Sequence, residues 1–500
     1  MSSSVSQAAP SAVISLKKEN LERIGERIQT PDYDIDNISC GIVHMSLGGF
    51  HRSHQALYTD DVLNIDNSWG ICGIGMMPDD LDNTQILNSQ DNLYTVLERS
   101  AEMDVGRVIG SIREVMHAPS SPADVINKLS DPAIKILSLT ITEKGYFYDE
   151  SGELNTSHPA VKNDLENPQS PQTAMGYIYA ALKKRKENGA GPMTVMSCDN
   201  LPGNGDLAKK ILLQHTQHVD EEFKSWIEEN VSFPNAMVDR ITPITTSEVV
   251  EKIRSEFGVE DGWPVVCEDF RQWVLEDKFV AGRPAWEEAG VQLVPDVEPY
   301  EKMKVRLLNG SHSALSYISY LMGYRDVDLA LADPLIDEFV RSYMNEDITP
   351  CIPDVPGVDL DEYKETLIRR FANPGVRDQV QRLAEDGSSK IPNSILPCLR
   401  YQLENEGSIK WICLALAGWF RYLSAIDEEL NPIMIKDPLS EKLISAAKVE
   451  AGDPVHLLGI EEIFGSELRN TGRVVAEIRE AWQSLIENGT RATLRAYLSN

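Results

Sequence analysis

The stretch that most constrains the fold lies near the start of the chain. Cys40-Gly41-Ile42-Val43-His44-Met45 reads as a buried strand. It runs through Ser46-Leu47-Gly48-Gly49-Phe50-His51-Arg52-Ser53 into an apolar helix from Gln55 to Leu63. Strand, glycine turn and helix in that order bring backbone N–H groups and a helix N-terminus to one point, where a pyrophosphate can be held. Against the pattern Gly-x-Gly-x-x-Gly the turn is irregular, with Ser46 at the first glycine and His51 at the third. An ordinary βα turn has the same outline, so the reading needs support from elsewhere.

The next element supplies some. Trp69–Met77 reads as a second buried strand and ends at Pro78-Asp79-Asp80. An acid just past the second strand is where a dinucleotide fold binds the adenosine ribose hydroxyls and repels a 2′-phosphate. Either Asp79 or Asp80 fits, and the absence of an immediate Arg or Lys favours NAD over NADP. The alternation continues through Val108–Val115, Ile134–Thr142, a helix at Thr173–Lys186 and a short strand at Met193–Ser197. That strand ends at Cys198-Asp199-Asn200-Leu201-Pro202, and polar residues at the carboxyl ends of parallel strands lie where such sheets bind ligands. Asn200 is therefore a site candidate, against the plainer reading of an Asx turn before Pro202.

From about residue 298 strand-like runs stop. Helical periodicity takes over at Lys304–Gly323, Leu335–Met344, Leu360–Phe371, around Ala384, and at Lys410–Ala425 and Ile463–Glu487. The predicted architecture is an N-terminal extension (1–37), an α/β Rossmann-type dinucleotide-binding domain (38–297), and a mainly α-helical C-terminal domain (298–500). A polar helix is expected at Lys17–Ile28 within the extension.

Composition narrows the partners. A formal net charge of −31 disfavours nucleic acid and anionic membranes, which attract basic surfaces. The longest apolar run near the end, Trp411–Phe420, is about half a membrane span and reads as a buried helix. The seven cysteines are scattered without a Cys-x2-Cys pair, so a disulfide framework or cysteine zinc site is not indicated. Residues 1–13 lack the basic and apolar regions of a secretory signal. A cytoplasmic protein acting on small molecules is expected, and nothing in the sequence calls for a dimer.

Hydride chemistry on an alcohol requires a group to take or give its proton. His51 and His54 are three apart, but no cysteine or carboxylate partners announce a metal site. Tyr179 and Lys183 have Tyr-x3-Lys spacing, but they sit in a basic helix surface. The stronger constellation is Glu301, Lys304, Asn309 and His312. At about 100° per residue these four share an α-helical arc of about 140°, together with Leu308 and Leu315. Lys304 suits a general base. Asn309 and Asn200 suit hydrogen bonds to a developing alkoxide. His312 can position the substrate hydroxyl or the lysine, and Glu301 can relay a proton to water. The alternative is an ordinary half-buried helix face.

Ile42 to Gln55, Cys198-Asp199-Asn200, Val238-Asp239-Arg240-Ile241-Thr242-Pro243 and Lys304-x4-Asn309-x2-His312 together resemble the polyol-specific long-chain dehydrogenases, from about residue 38 to past 480. The resemblance implies an NAD(P)-dependent, metal-independent enzyme interconverting D-mannitol and D-fructose. Its alternatives within the family are D-arabinitol, D-sorbitol, fructuronate and tagaturonate. It implies a catalytic lysine at Lys304, oxyanion-binding asparagines at Asn200 and Asn309, an orienting histidine at His312 and a proton-gating Glu301. It further implies substrate contacts at Asp239, Arg382 and Lys390, a nucleotide turn at Ile42–Ser53 and, often in the family, a monomer. Ser46 departs from the glycine usual in that turn.

Overall fold

The computed structural model describes residues 12–149 and 151–499. Its contacts divide the chain into two compact units, one ending at Glu298 and the other beginning at Pro299.

In the first unit six strands form one parallel sheet: Ile112–His117, Gly70–Gly75, Cys40–Met45, Ile136–Leu139, Met193–Ser197 and Val231–Ser232, in that spatial order. Numbered along the chain the order is 3-2-1-4-5-6, that of a doubly wound dinucleotide-binding sheet, with its switch point beside Cys40–Met45. Side chains of a strand alternate between faces. Val43 and Met45 accordingly pack in one core with Ile178, Leu182 and Ile211, and Ile42 in another with Ala56, Leu57 and Trp273. Both faces are covered, so every residue of Cys40–Met45 is buried.

Two small sheets complete the unit. Tyr94–Arg99 pairs parallel with Val265–Glu268 and antiparallel with Asp104–Ile109. Gln272–Glu276 pairs antiparallel with Ala236–Asp239 and parallel with Gln292–Val294.

Several expectations need correction. The single strand expected at Val108–Val115 is two strands in different sheets, ending at Ile109 and beginning at Ile112. The break is fixed from outside the strands: Gly110 N donates to Asp60 (2.8 Å) and Ser111 Oγ to the Ala56 carbonyl (2.6 Å). The helix expected at Lys17–Ile28 shrinks to a 3-10 turn at Lys18–Asn20 and one α-turn at Leu21–Gly25. Residues 12–37, expected as an extension outside the α/β domain, also pack into the first unit. Ile14–Ser15 pairs with Val259–Glu260, and Ile14, Leu16, Ile24, Ile28 and Ile35 pack in one core with Leu97 and Val266. Residues 1–11 lie outside the described residues.

The second unit is helical throughout. Lys410–Tyr422, buried over Trp411–Phe420, packs against Gly310–Leu321 on one side and Gly472–Asn488 on another. Gly418 permits the first approach, because a Cβ there would stand 2.8 Å from Ile318 Cδ1. The helix expected over Ile463–Glu487 is interrupted after Phe464 by Gly465 (φ +72°) and resumes at Gly472. All seven cysteines are free thiols and buried. Among the described residues no helix is long and apolar enough to cross a membrane.

Candidate active site

In the first unit the site is built at strand ends. Cys40–Met45 delivers the chain to Ser46, whose φ of +78° is in the left-handed region that glycine adopts freely. The irregularity seen in the sequence is thus a serine in a glycine's conformation. Gly48 is exposed, and a Cβ on it would meet nothing within 4 Å. The turn therefore has room for a bulky anion against its backbone.

Beneath it lies a polar layer. His44 Nδ1 lies 2.7 Å from Ser138 Oγ and its Nε2 2.8 Å from Thr140 Oγ1, while the threonine hydroxyl donates to the Ser46 carbonyl (3.1 Å). His51 stacks on His44 with ring centroids 3.4 Å apart, and neither of its ring nitrogens finds a hydrogen-bond partner among the described residues. Burial holds these imidazoles neutral. It pushes His44 and His54 down to about 3 and His51 well below its ordinary value.

The twelve residues Ile42–Ser53 therefore divide by role. Ile42, Val43, Met45 and Leu47 are core, and His44 and His51 form the layer under the turn. Arg52 is 2% exposed and stacks 3.5 Å from the Trp263 ring centroid, with burial pushing its guanidinium down to about 10. Ser53 Oγ meets Thr242 Oγ1 at 2.9 Å. What remains accessible is the run Ser46, Gly48, Gly49 and Phe50. The structure also separates the two acids: Asp79 is exposed, whereas Asp80 Oδ2 accepts from Met77 N at 2.8 Å, closing the 3-10 turn Pro78–Asp80. An open glycine turn at the switch point and an acid past the second strand fit a dinucleotide.

Asn200 follows the fifth strand of the sheet and is exposed. Its neighbour Asp199 is buried and accepts from Thr142 N (2.7 Å), Ile141 N (3.2 Å) and the Tyr146 hydroxyl (2.7 Å). Burial raises its carboxyl above the ordinary carboxylate range. Asp239 ends the strand Ala236–Asp239 and is 5% exposed.

Sequence reasoning missed the residue beside it. The Arg240 side chain is fully buried and donates to the carbonyls of Glu268 (2.8 and 3.1 Å) and Ser53 (2.5 Å), and to the Glu98 carboxylate. It straps the strand carrying Asp239 to the helix that follows the glycine turn. Its signal was an arginine inside an apolar strand exit, a place where charge survives only when fully bonded.

In the second unit the helix bearing Lys304, Asn309 and His312 is not uniformly α. Glu298–Met303 is α, Lys304–Asn309 is a π-turn and Gly310–Leu321 is α again. A π-turn inserts one residue into the helical period. Past it every position is set back by about 100° from the α-helical projection. Glu301, Lys304, Asn309 and His312 then share an arc of about 80° instead of about 140°, and Leu315 rotates out of it. The polar groups are drawn closer together, with Leu308, inside the turn, still beside them.

Gly310 permits a close approach just after the turn: a Cβ there would lie 2.9 Å from Tyr343 Oη and 3.3 Å from the Ser394 carbonyl. Lys304 is 6% exposed, and the His312 ring lies 4.4 Å from that of Phe371. The helix Gly387–Ser394, which bears Lys390, packs on the π-turn; Val380–Ala384, which bears Arg382, packs on Gly310–Leu321. Burial lowers the Lys390 ammonium, whose Nζ donates to the Leu383 carbonyl at 3.3 Å. The Arg382 side chain is 58% exposed and forms a bidentate pair with Asp378 (2.7 and 2.5 Å). Among the described residues no group of three or more His, Cys, Asp or Glu is placed to hold a metal ion.

This is the fold of a nucleotide-dependent enzyme: a doubly wound parallel sheet followed by a helical unit. The sequence matches the family described as the mannitol dehydrogenase Rossmann domain over residues 40–288 and the mannitol dehydrogenase C-terminal domain over 296–486. The chain belongs to the mannitol dehydrogenase family of polyol dehydrogenases. It is 43% identical to a mannitol 2-dehydrogenase of Phaeosphaeria nodorum, covering 97% of this chain and 86% of that one. It is 42% identical to one of Aspergillus fumigatus, covering 98% and 100%. Among solved structures it is similar to the Pseudomonas fluorescens mannitol 2-dehydrogenase in ternary complex with NAD and D-mannitol (43% identity, TM-score 0.86, 97% of this chain and 100% of that one). It is also similar to a substrate-free D-sorbitol dehydrogenase (36% identity, TM-score 0.91, 96% and 100%).

Proposed function

We propose that this chain interconverts D-mannitol and D-fructose with NAD, as a cytoplasmic monomer and without a metal. The observation that supports the chemistry is the π-turn Lys304–Asn309, which narrows the arc on which Glu301, Lys304, Asn309 and His312 project. NAD, when bound at the Ser46–Phe50 turn with its adenosine ribose at Asp79 or Asp80, supplies the hydride acceptor. Lys304 Nζ takes the proton of the substrate hydroxyl as that carbon loses hydride, and Glu301 passes the proton on to water. The amides of Asn200 and Asn309 donate to the oxygen as it changes from alkoxide to carbonyl, and His312 orients it. Asp239, Arg382 and Lys390 hold the remaining hydroxyls. The 43% identity to an enzyme solved with NAD and D-mannitol supports this reading. The likeness to a D-sorbitol dehydrogenase keeps a second polyol in view.

The test is absorbance at the nicotinamide band with a panel of D-mannitol, D-sorbitol, D-arabinitol, fructose, fructuronate and tagaturonate. Each is assayed with NAD and NADP, before and after chelator. Mannitol and fructose with NAD should turn over fastest, and chelation should change nothing. Turnover of fructuronate but not fructose would overturn the substrate, and faster turnover with NADP the role of Asp79 and Asp80. Lys304→Ala should lose about 100- to 1,000-fold in kcat, as when a general base is removed.

A further inference from the structure

Asn204 takes no part in the chemistry above, yet its side chain spends both N–H donors and an oxygen lone pair on the two segments that carry Asn200 and Asp239. It is completely buried at the start of the helix Asn204–Val219. Its Nδ2 donates to the Asp199 carbonyl at 2.8 Å and to the Ala236 carbonyl at 2.7 Å, and its Oδ1 accepts from Ala236 N at 3.0 Å. The Asp199 carbonyl belongs to the peptide bond that leads into Asn200. Ala236 is the first residue of the strand that ends at Asp239. A side-chain amide is a peptide group in miniature. It pairs with both the N–H and the C=O of Ala236 as a neighbouring strand would, and its second N–H reaches across to the Asn200 peptide.

The surroundings leave this bridge little slack. A Cβ on Gly205 would lie 2.4 Å from the Pro234 carbonyl oxygen, so only glycine lets the helix start so close to Phe233-Pro234. Asn235 Oδ1 accepts from Gly205 N (2.9 Å) and Asp206 N (3.1 Å), and Asn235 N donates to Glu276 (2.8 Å). On the far side the Asp199 carboxylate is fixed by Ile141, Thr142 and Tyr146. The Asp199-Asn200 peptide is therefore held from two directions, and Asn204 is the side chain that ties it to the strand of Asp239.

We propose that Asn204 is a positioning residue that sets Asn200 and Asp239 at a fixed separation, so that the oxyanion-holding amide and a substrate-hydroxyl contact address one polyol at once. The inference rests on the roles given above to Asn200 and Asp239. Misplacement of a reacting group by about 1 Å can cost about 100-fold in rate. Loosening this bridge should therefore appear in turnover before it appears in cofactor affinity.

The experiment compares Asn204→Asp and Asn204→Ser with the unaltered enzyme and with Asn200→Ala. The aspartate keeps the acceptor toward Ala236 N but loses both donations. The serine is a milder shortening for use should the first variant fold poorly. The measurements are kcat and KM for mannitol, NADH affinity by fluorescence, thermal midpoint, and the primary isotope effect with substrate deuterated at the oxidised carbon. Asn204→Asp should lower kcat about 10- to 100-fold, raise the polyol KM several-fold and increase the isotope effect, with NADH affinity within about twofold. Asn204→Ser should fall in between. A lowered midpoint with kcat per folded enzyme unchanged in both variants would overturn the inference and leave Asn204 a structural bridge. Normal turnover in Asn200→Ala would overturn the underlying site reading, and the inference with it. Impaired Asn200→Ala beside normal Asn204 variants would overturn the inference alone.

Discussion

The glycine turn of the first unit and the π-turn of the second both present polar groups, by opposite means. Around Cys40–Met45 the groups are placed by a network: Arg240 reaches Ser53, His44 reaches Thr140, and Thr140 reaches Ser46. No single bond defines the geometry: His44, Ser53 and Arg240 are buried and Ser46 and Thr140 half-buried, and each leans on the next. Around Lys304–Asn309 the groups are placed by phase. One extra residue in a helical turn rotates everything after it, and Gly310 must clear Tyr343 and the Ser394 carbonyl. A network should fail in stability when one member is removed. A phase should fail in activity when the helix is nudged.

Replacing Arg240 should show the largest effect on folding. Arg240→Ala leaves the Glu98 carboxylate and the Ser53 and Glu268 carbonyls short of their donor. It should cost about 3–5 kcal/mol in chemical denaturation, because the Ser53 and Glu268 carbonyls are left buried without their donor at about 1–3 kcal/mol each and the partly exposed Glu98 adds little. A loss under about 1 kcal/mol would refute the network account. Gly310→Ala should be smaller in stability and larger in function. Alanine is normally the better helix former, yet here its methyl meets Tyr343 Oη, an overpacking cost of about 1–3 kcal/mol. Tyr343 Oη is buried without a hydrogen-bond partner among the described residues, so Tyr343→Phe alone should be near neutral. Combined with Gly310→Ala it should restore part of the loss in both midpoint and kcat. Strict additivity in that cycle would refute the contact.

Acid should separate the two regions further. His44, His51 and His54 are held neutral in the folded state, while an unfolded imidazole protonates near its ordinary value of about 6.5. The unfolded chain therefore binds more protons, and stability falls as pH drops below about 6.5 toward the folded values of about 3 for His44 and His54. The slope is about 1.4 kcal/mol per pH unit for each imidazole. The raised carboxyls of Asp60, Asp199 and Asp261 offset part of this at more acid pH. Denaturation midpoints followed from pH 7 to 5 should decline, and His51→Phe should flatten the decline. An unchanged slope would mean that these rings are not the acid-sensitive groups. The smallest effect expected is a gain: Ser46→Gly removes a left-handed serine and should add about 1 kcal/mol.

The contrast also explains what the sequence could reveal. Cys40–Met45 and Met193–Ser197 are legible because central strands of a covered parallel sheet are apolar on both faces, and both fall where their runs predict. Leu360–Phe371 is legible because its apolar spacing is regular. Tyr94–Arg99 was missed, since its Glu and Arg end hides a strand whose pairing partner lies far along the chain at Val265–Glu268. The residues on the Lys304 helix and their shared side could be named from spacing, but the π-turn that changes their phase could not, because an inserted residue leaves no mark in the pattern. Asn204 and Arg240 were invisible as functional residues for a related reason. Their importance lies in which backbone groups they reach, and those groups belong to segments remote in sequence.

The buried thiols carry a practical consequence. Cys40, Cys72, Cys198 and Cys267 all belong to the first unit, and Cys351, Cys398 and Cys413 to the second. None is accessible while its surroundings remain closed. The chain is thus supplied with silent reporters in both halves, each awakened only when its own neighbourhood opens. Pulsed alkylation read peptide by peptide would time the opening of the sheet and of the helical bundle independently, in the unaltered protein and without an added label.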